Sequence, residues 1–126
     1  MGEVTIAVLL VFAIIYFVPF LVYGPLSAAG WIMQPEGSPA SFLLGVLVSK
    51  IGTAVAFVLI FYFAREVLGD RWLLYGFLWW LMFVIGEVGQ AIGPNYSWRE
   101  ALAGMISETI YCPLAAWAMW GLLIKG

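Results

Sequence analysis

The stretch LLGVLVSKIGTAVAFVLIF, Leu43–Phe61, carries one charge, Lys50, in an otherwise apolar run. A helix of that length rises about 28 Å at about 1.5 Å per residue. That is close to the hydrocarbon thickness of a bilayer, about 30 Å. A soluble helix would show a polar face, and only Ser49 and Thr53 accompany the lysine. The run therefore reads as a membrane span, and Lys50 as a charge that must face protein rather than lipid.

Composition supports that reading. Of 126 residues, 65% are hydrophobic and 10% charged. Soluble domains average about 45–50% apolar and about 25% charged. The seven Trp and six Tyr add an aromatic load suited to membrane interfaces. A net charge of −2 excludes a basic nucleic-acid face. The chain has no His and one cysteine, Cys112, so neither an internal disulfide nor a cysteine- or histidine-rich metal site is expected, and no cofactor is.

Four apolar segments are long enough to cross a bilayer: Val4–Tyr23, Ser41–Ala64, Trp72–Ile92 and Ala101–Ile124. Gly24-Pro25 marks the end of the first, and QPEGSP, Gln34–Pro39, is a turn-rich connection before Ser41, an N-cap candidate. In REVLGDRW, Gly69 is placed to end a helix and Asp70 to cap the next. Gly93-Pro94 closes the third segment. Ser97 and Glu100 have capping-box spacing at the start of the fourth. Backbone groups in hydrocarbon must be satisfied within the segment, so these spans are expected to be helices. The fold expected is all-α: one transmembrane domain over residues 1–126, a four-helix antiparallel bundle.

Orientation follows from the basic residues. Arg65, Arg71 and Lys125 fall on the side of the termini, and only Arg99 on the other, which places both termini in the cytoplasm. The amino-terminal segment carries Glu3 and no Lys or Arg, and its apolar run exceeds the about 7–15 residues of a signal peptide, so cleavage is not expected. The cytoplasmic membrane of a prokaryote is the expected compartment.

Three ionisable residues fall inside the spans: Lys50, Glu87 and Glu108. Counted from Ser41, Gly93 and Ser97 respectively, they lie about 13, 9 and 16 Å deep, all from the outer side. Helical phase aligns Val46, Lys50, Ala54 and Phe57 on the second span, with Thr53 at the margin. It aligns Gly76, Trp80, Phe83, Glu87 and Gln90 on the third, and Gly104, Glu108, Tyr111, Ala115 and Ala118 on the fourth. Small residues on each face let helices approach closely. A polar cluster in the outer half is expected, with Glu87 as the first partner of Lys50 and Glu108 as the second. One lysine can neutralise one glutamate, leaving the other as a proton carrier or cation site. The same three charges also serve as interhelical glue in the alternative reading. Pro113 removes the hydrogen bond to the Thr109 carbonyl beside the cluster, where a kink is expected. Trp31, Tyr96 and Trp98 read as interface anchors, or as a lid over the cluster.

The segments VYGPLSAAGW (Val22–Trp31), FLWWLMFVIG (Phe77–Gly86) and SWREAL (Ser97–Leu102) resemble a family of small four-helix bacterial and fungal membrane proteins defined only as a domain of unknown function. That resemblance implies a fold and no catalytic residues. The layout is also similar to the small multidrug resistance transporters, but the glutamate those carry in their first helix is absent.

These readings leave three functions open. The first is a small transporter or channel for a proton or a small cationic or amphipathic solute, working as a homo-oligomer. Its binding residues would be Lys50, Glu87, Glu108, Gln90, Tyr111 and Thr53. The second is an accessory subunit of a larger membrane complex. The third, least supported without His or a cofactor motif, is a membrane enzyme with the two glutamates as acid and base.

Overall fold

The computed structural model describes residues 2–31, 39–94 and 96–125, and among these the chain is helical with no strand. The helices are α1 (Gly2–Ala28), α2 (Pro39–Phe63), the single turn α3 (Arg65–Leu68), α4 (Trp72–Ile92) and α5 (Trp98–Trp120); a π-helical turn, Gly121–Lys125, extends α5. Three of them, α1, Leu43–Phe63 of α2, and α4, are long and apolar enough to cross a membrane. The fourth expected span falls on α5, which is long enough but more polar, with Ser107, Glu108 and Thr109 at its middle.

That polarity decides where α5 sits. It packs against both α1 and α4, and it buries Ser107, Glu108, Tyr111, Cys112, Ala115 and Met119. The other helices surrender little surface: α1 buries only Val4, Ala7, Val11 and Ile15, one stripe at helical spacing. Their outer faces are Leu, Ile, Phe and Met, including Leu21, Phe63, Met82 and Ile85. Mid-helix charge turns inward (Glu108 buried, Lys50 and Glu87 half-buried) while apolar side chains face outward, the reverse of a water-soluble protein.

Two contacts fix how α4 and α5 pass each other. A Cβ on Gly76 would stand 3.1 Å from Ala116 Cβ and 3.2 Å from the Cys112 carbonyl oxygen, and a Cβ on Gly104 would overlap the Glu87 carboxyl. The helices thus run in opposite senses, with a glycine at each crossing. Across the molecule, α2 meets α4 through aromatic rings. Phe57 packs on Tyr75 and Trp79, Phe61 packs on Tyr75, and Tyr75 donates a hydrogen bond to the Phe57 carbonyl.

Several boundaries differ from the expectation. Helix α1 does not stop at Gly24-Pro25 but continues through Pro19 and Pro25 to Ala28. It ends in a Schellman motif: Gly30 has φ 76°, Trp31 N donates to Leu26 O at 2.9 Å, and Gly30 N donates to Ser27 O at 3.0 Å. Helix α2 starts at Pro39, a residue favoured in a first turn, so Ser41 lies inside it and is no cap. The rest of the connection, residues 32–38, is outside the described residues. Gly69 ends α3 with φ 47°, as expected, but Asp70 does not cap α4. Its Oδ1 accepts from the Trp120 indole at 3.1 Å, tying the far ends of α4 and α5 together. Helix α5 runs through Pro113 as a single helix.

Ser97 caps α5 as expected: its Oγ accepts from Glu100 N at 3.1 Å, while the Glu100 carboxylate accepts from that same hydroxyl at 3.2 Å. A Ser97→Ala variant should lose about 1 kcal/mol. Denaturant titration in mixed micelles reads that loss, which the near-isosteric Ser97→Asp should largely restore.

Candidate functional site

The polar residues of α2, α4 and α5 converge in the half of the molecule where α1 ends and α5 begins. Lys50 Nζ donates to Tyr111 Oη at 3.3 Å and lies 4.7 Å from the centre of the Tyr111 ring. Its direct partner is thus a buried phenol, where a glutamate was expected. Tyr111 lies on α5 one turn from Glu108 and shares its buried face. Its hydroxyl reaches α2 where neither carboxylate does.

Glu108 is 5% exposed, and its Oε1 has no hydrogen-bond partner. Glu87 lies against Gly104, one turn from Glu108 on α5, so the two carboxyl groups are neighbours. Only the missing side chain of Gly104 makes room for this. Tyr111 thus links Lys50 of α2 to the α5 face that carries Glu108, and Glu87 of α4 packs on that helix at Gly104.

A second tier of groups holds Glu87 from the open end. Tyr96 Oη donates to Glu87 Oε2 at 2.5 Å and approaches the Glu100 carbonyl at 3.3 Å. Tyr23 Oη, from the last turns of α1, reaches the same carbonyl at 3.5 Å and interacts with Tyr96. Burial first, and then the bond to Glu87, push the Tyr96 hydroxyl above the ordinary tyrosine range. It remains a donor at any working pH. Tyr96 is half-buried and bonds Glu87 from the connection between α4 and α5. Tyr23 was missed; the available signal was a phenol at the end of the first span, on the same side as Glu87.

The remaining candidates stand at the margins. Thr53 donates to the Ser49 carbonyl at 2.9 Å, one turn back on its own helix. Gln90 is exposed and lines a groove of about 280 Å³ with Gly93, Pro94 and Tyr96. Another groove, about 400 Å³, runs along α2 from Ser41 past Gly45, Val46 and Ser49 to Lys50. Trp80 Nε1 donates to Thr109 Oγ1 at 2.9 Å, and Thr109 in turn bonds the Met105 carbonyl at 2.7 Å, bracing α4 on α5 beside the cluster. Cys112 is a buried thiol in the core.

Chemically, the arrangement is a pair of neighbouring carboxyls, one of them almost sealed, beside an ammonium that a groove approaches. Among the described residues no cluster of His, Cys, Asp and Glu is placed to hold a metal. No protein family, curated protein or solved structure matches this chain. The class the fold defines is an all-helical membrane protein with three helices apolar enough to span.

Proposed function

We propose that this chain is a small transporter, an antiparallel four-helix membrane bundle with both termini cytoplasmic, that exchanges a proton at the Glu87–Glu108 pair while a small solute passes. The observation that carries this reading is the buried, unpartnered Oε1 of Glu108 beside a second carboxyl. Buried polar atoms in a purely structural cluster are satisfied, because an unmade hydrogen bond in low dielectric is costly. An unsatisfied carboxyl kept at that cost is suited to taking and releasing a proton.

In this reading Lys50 is the fixed counter-charge and Tyr111 orients it. Tyr96 and Tyr23 stand between Glu87 and the outer surface. Gln90 lines the groove on that side, and Thr53 stiffens α2 next to Lys50. Four helices enclose little volume, so a second copy of the chain would complete the pathway. One observation favours a laterally packed subunit instead: Gly45 and Gly52 on α2, and Gly86 and Gly89 on α4, have nothing within 4 Å of a built Cβ. Such surfaces admit another helix closely.

Flux in reconstituted liposomes tests the carrier. Under an imposed pH gradient, Glu87→Gln and Glu108→Gln should each reduce proton flux to that of protein-free vesicles. Flux at the parent level in both variants would remove the reading. Co-purification with larger membrane partners and instability alone would favour the subunit.

A further inference from the structure

The solute can be narrowed from the groove along α2. Its described lining is Ser41, Gly45, Val46, Ser49 and Lys50. Those positions step down one side of the helix, with hydroxyls at the shallow end and beside the lysine, and apolar surface between. Lys50 is the single charged residue among them. The two carboxyls lie beyond Tyr111: Glu108 is 5% exposed, and Glu87 is turned onto Gly104 and Tyr96. A molecule in the groove therefore meets a positive charge and no negative one. Lys50 makes its hydrogen bond to a neutral phenol, at a long 3.3 Å, so an anion need not displace a carboxylate to reach it.

Size sets the rest. The groove's volume, about 400 Å³, is within the usual range for a small-molecule site. Taking about 30 Å³ for a water-sized group, it holds a headgroup and roughly ten further groups, one chain rather than two. We propose that this groove binds a single-chain amphiphilic carboxylate, its headgroup on Lys50 Nζ and its alkyl chain along Gly45 and Val46. The inference rests on the carrier reading for what binding accomplishes, but not for the binding itself.

The test is equilibrium binding to the full chain in nonionic micelles. A fluorescent polyene fatty acid is the probe, with its methyl ester, the alkylamine of equal length and a diacyl phosphatidic acid as comparisons. The acid should bind at least tenfold more tightly than any of the three. Gly45→Leu keeps Lys50 and fills the groove, since a side chain at Gly45 starts in open space. Lys50→Met keeps the groove and removes the charge. Each should weaken acid binding at least tenfold, and Gly45→Leu decides the matter if Lys50→Met fails to fold. Equal binding of the ester, the amine or the diacyl lipid would overturn the proposal. So would parent-like binding by Gly45→Leu. Because this reads occupancy and not flux, a chain that binds the acid but moves no protons would refute the carrier alone. A chain that moves protons but ignores the acid would refute the groove alone.

Discussion

Glu108→Met should make this protein more stable, by about 1–3 kcal/mol, while abolishing its proton exchange. The stability gain follows from the Oε1 atom, which is buried without a hydrogen-bond partner. Leaving such a group unsatisfied costs about 1–3 kcal/mol, more if it is charged. Methionine has nearly the same shape, so it recovers that cost without opening a cavity. Replacing buried ionic groups by apolar ones of similar volume is often neutral or stabilising. The sign separates the two readings of the cluster. If Glu108 were interhelical glue, holding α2 and α4 onto α5, the same substitution would destabilise. Denaturant titration of the parent and the variant in the same micelles decides it, with Glu108→Gln as the polar control.

Gly104→Val should act through Glu87 without touching its chemistry. A Cβ at position 104 would overlap the Glu87 carboxyl, so the branched side chain must drive that carboxyl away from α5. Three things are then lost together: the place beside Glu108, the bond from Tyr96, and the close crossing of α4 on α5. Overpacking of this kind costs about 1–3 kcal/mol. The flexible end of the glutamate gives way more readily than backbone would, which places Gly104→Ala near the low end. Proton flux should fall to the protein-free level in Gly104→Val even under conditions where the variant remains folded. Gly76→Val is the matched control at the other crossing. There the neighbours are Ala116 Cβ and the Cys112 carbonyl, so it should cost stability at least as severely. Being remote from the carboxyls, it should spare flux in whatever fraction folds. Equal loss of flux per folded molecule in both variants would contradict the assignment of Glu87.

Much of this was legible because lipid imposes simple rules. The segments had to be helices, and the charges within them had to turn inward to one another. The depths of Lys50, Glu87 and Glu108 could be counted from segment ends, and the structure sets Glu87 beside the Glu108 helix and Lys50 on Tyr111 of that same helix. What the sequence concealed lies in two kinds of detail. One is where helices stop: Gly24-Pro25 has the look of a terminus, yet α1 carries its prolines and ends instead at Gly30, where φ is positive. SAAGW, a glycine followed by an apolar residue, was the better signal. The other is which neutral group stands between charges. Periodicity placed Tyr111 on the Glu108 face, but it could not say that the phenol rather than a glutamate would meet Lys50. Nor could it bring Tyr23 and Tyr96, far apart in the chain, over one carboxyl.

The fourth segment teaches a related lesson. By length it looked like the other three, but with Ser107 and Glu108 at its middle it is the helix on which α1 and α4 pack. Ser107 and Glu108 are buried, and the exposed Thr109 spends its hydroxyl on the Met105 carbonyl and the Trp80 indole. A small protein can hold a charged cluster in this way while presenting hydrocarbon on nearly every outer face.

The central claim is that Glu87 and Glu108 hold one exchangeable proton between them. Infrared difference spectroscopy of the protonated-carboxyl stretch, recorded between acid and alkaline buffer in reconstituted membranes, tests it most directly. The account predicts one such band in the parent, shifted by deuterium exchange and lost in both Glu87→Gln and Glu108→Gln, because the proton belongs to the pair. A parent spectrum without that band, or a band that survives both substitutions, would contradict it.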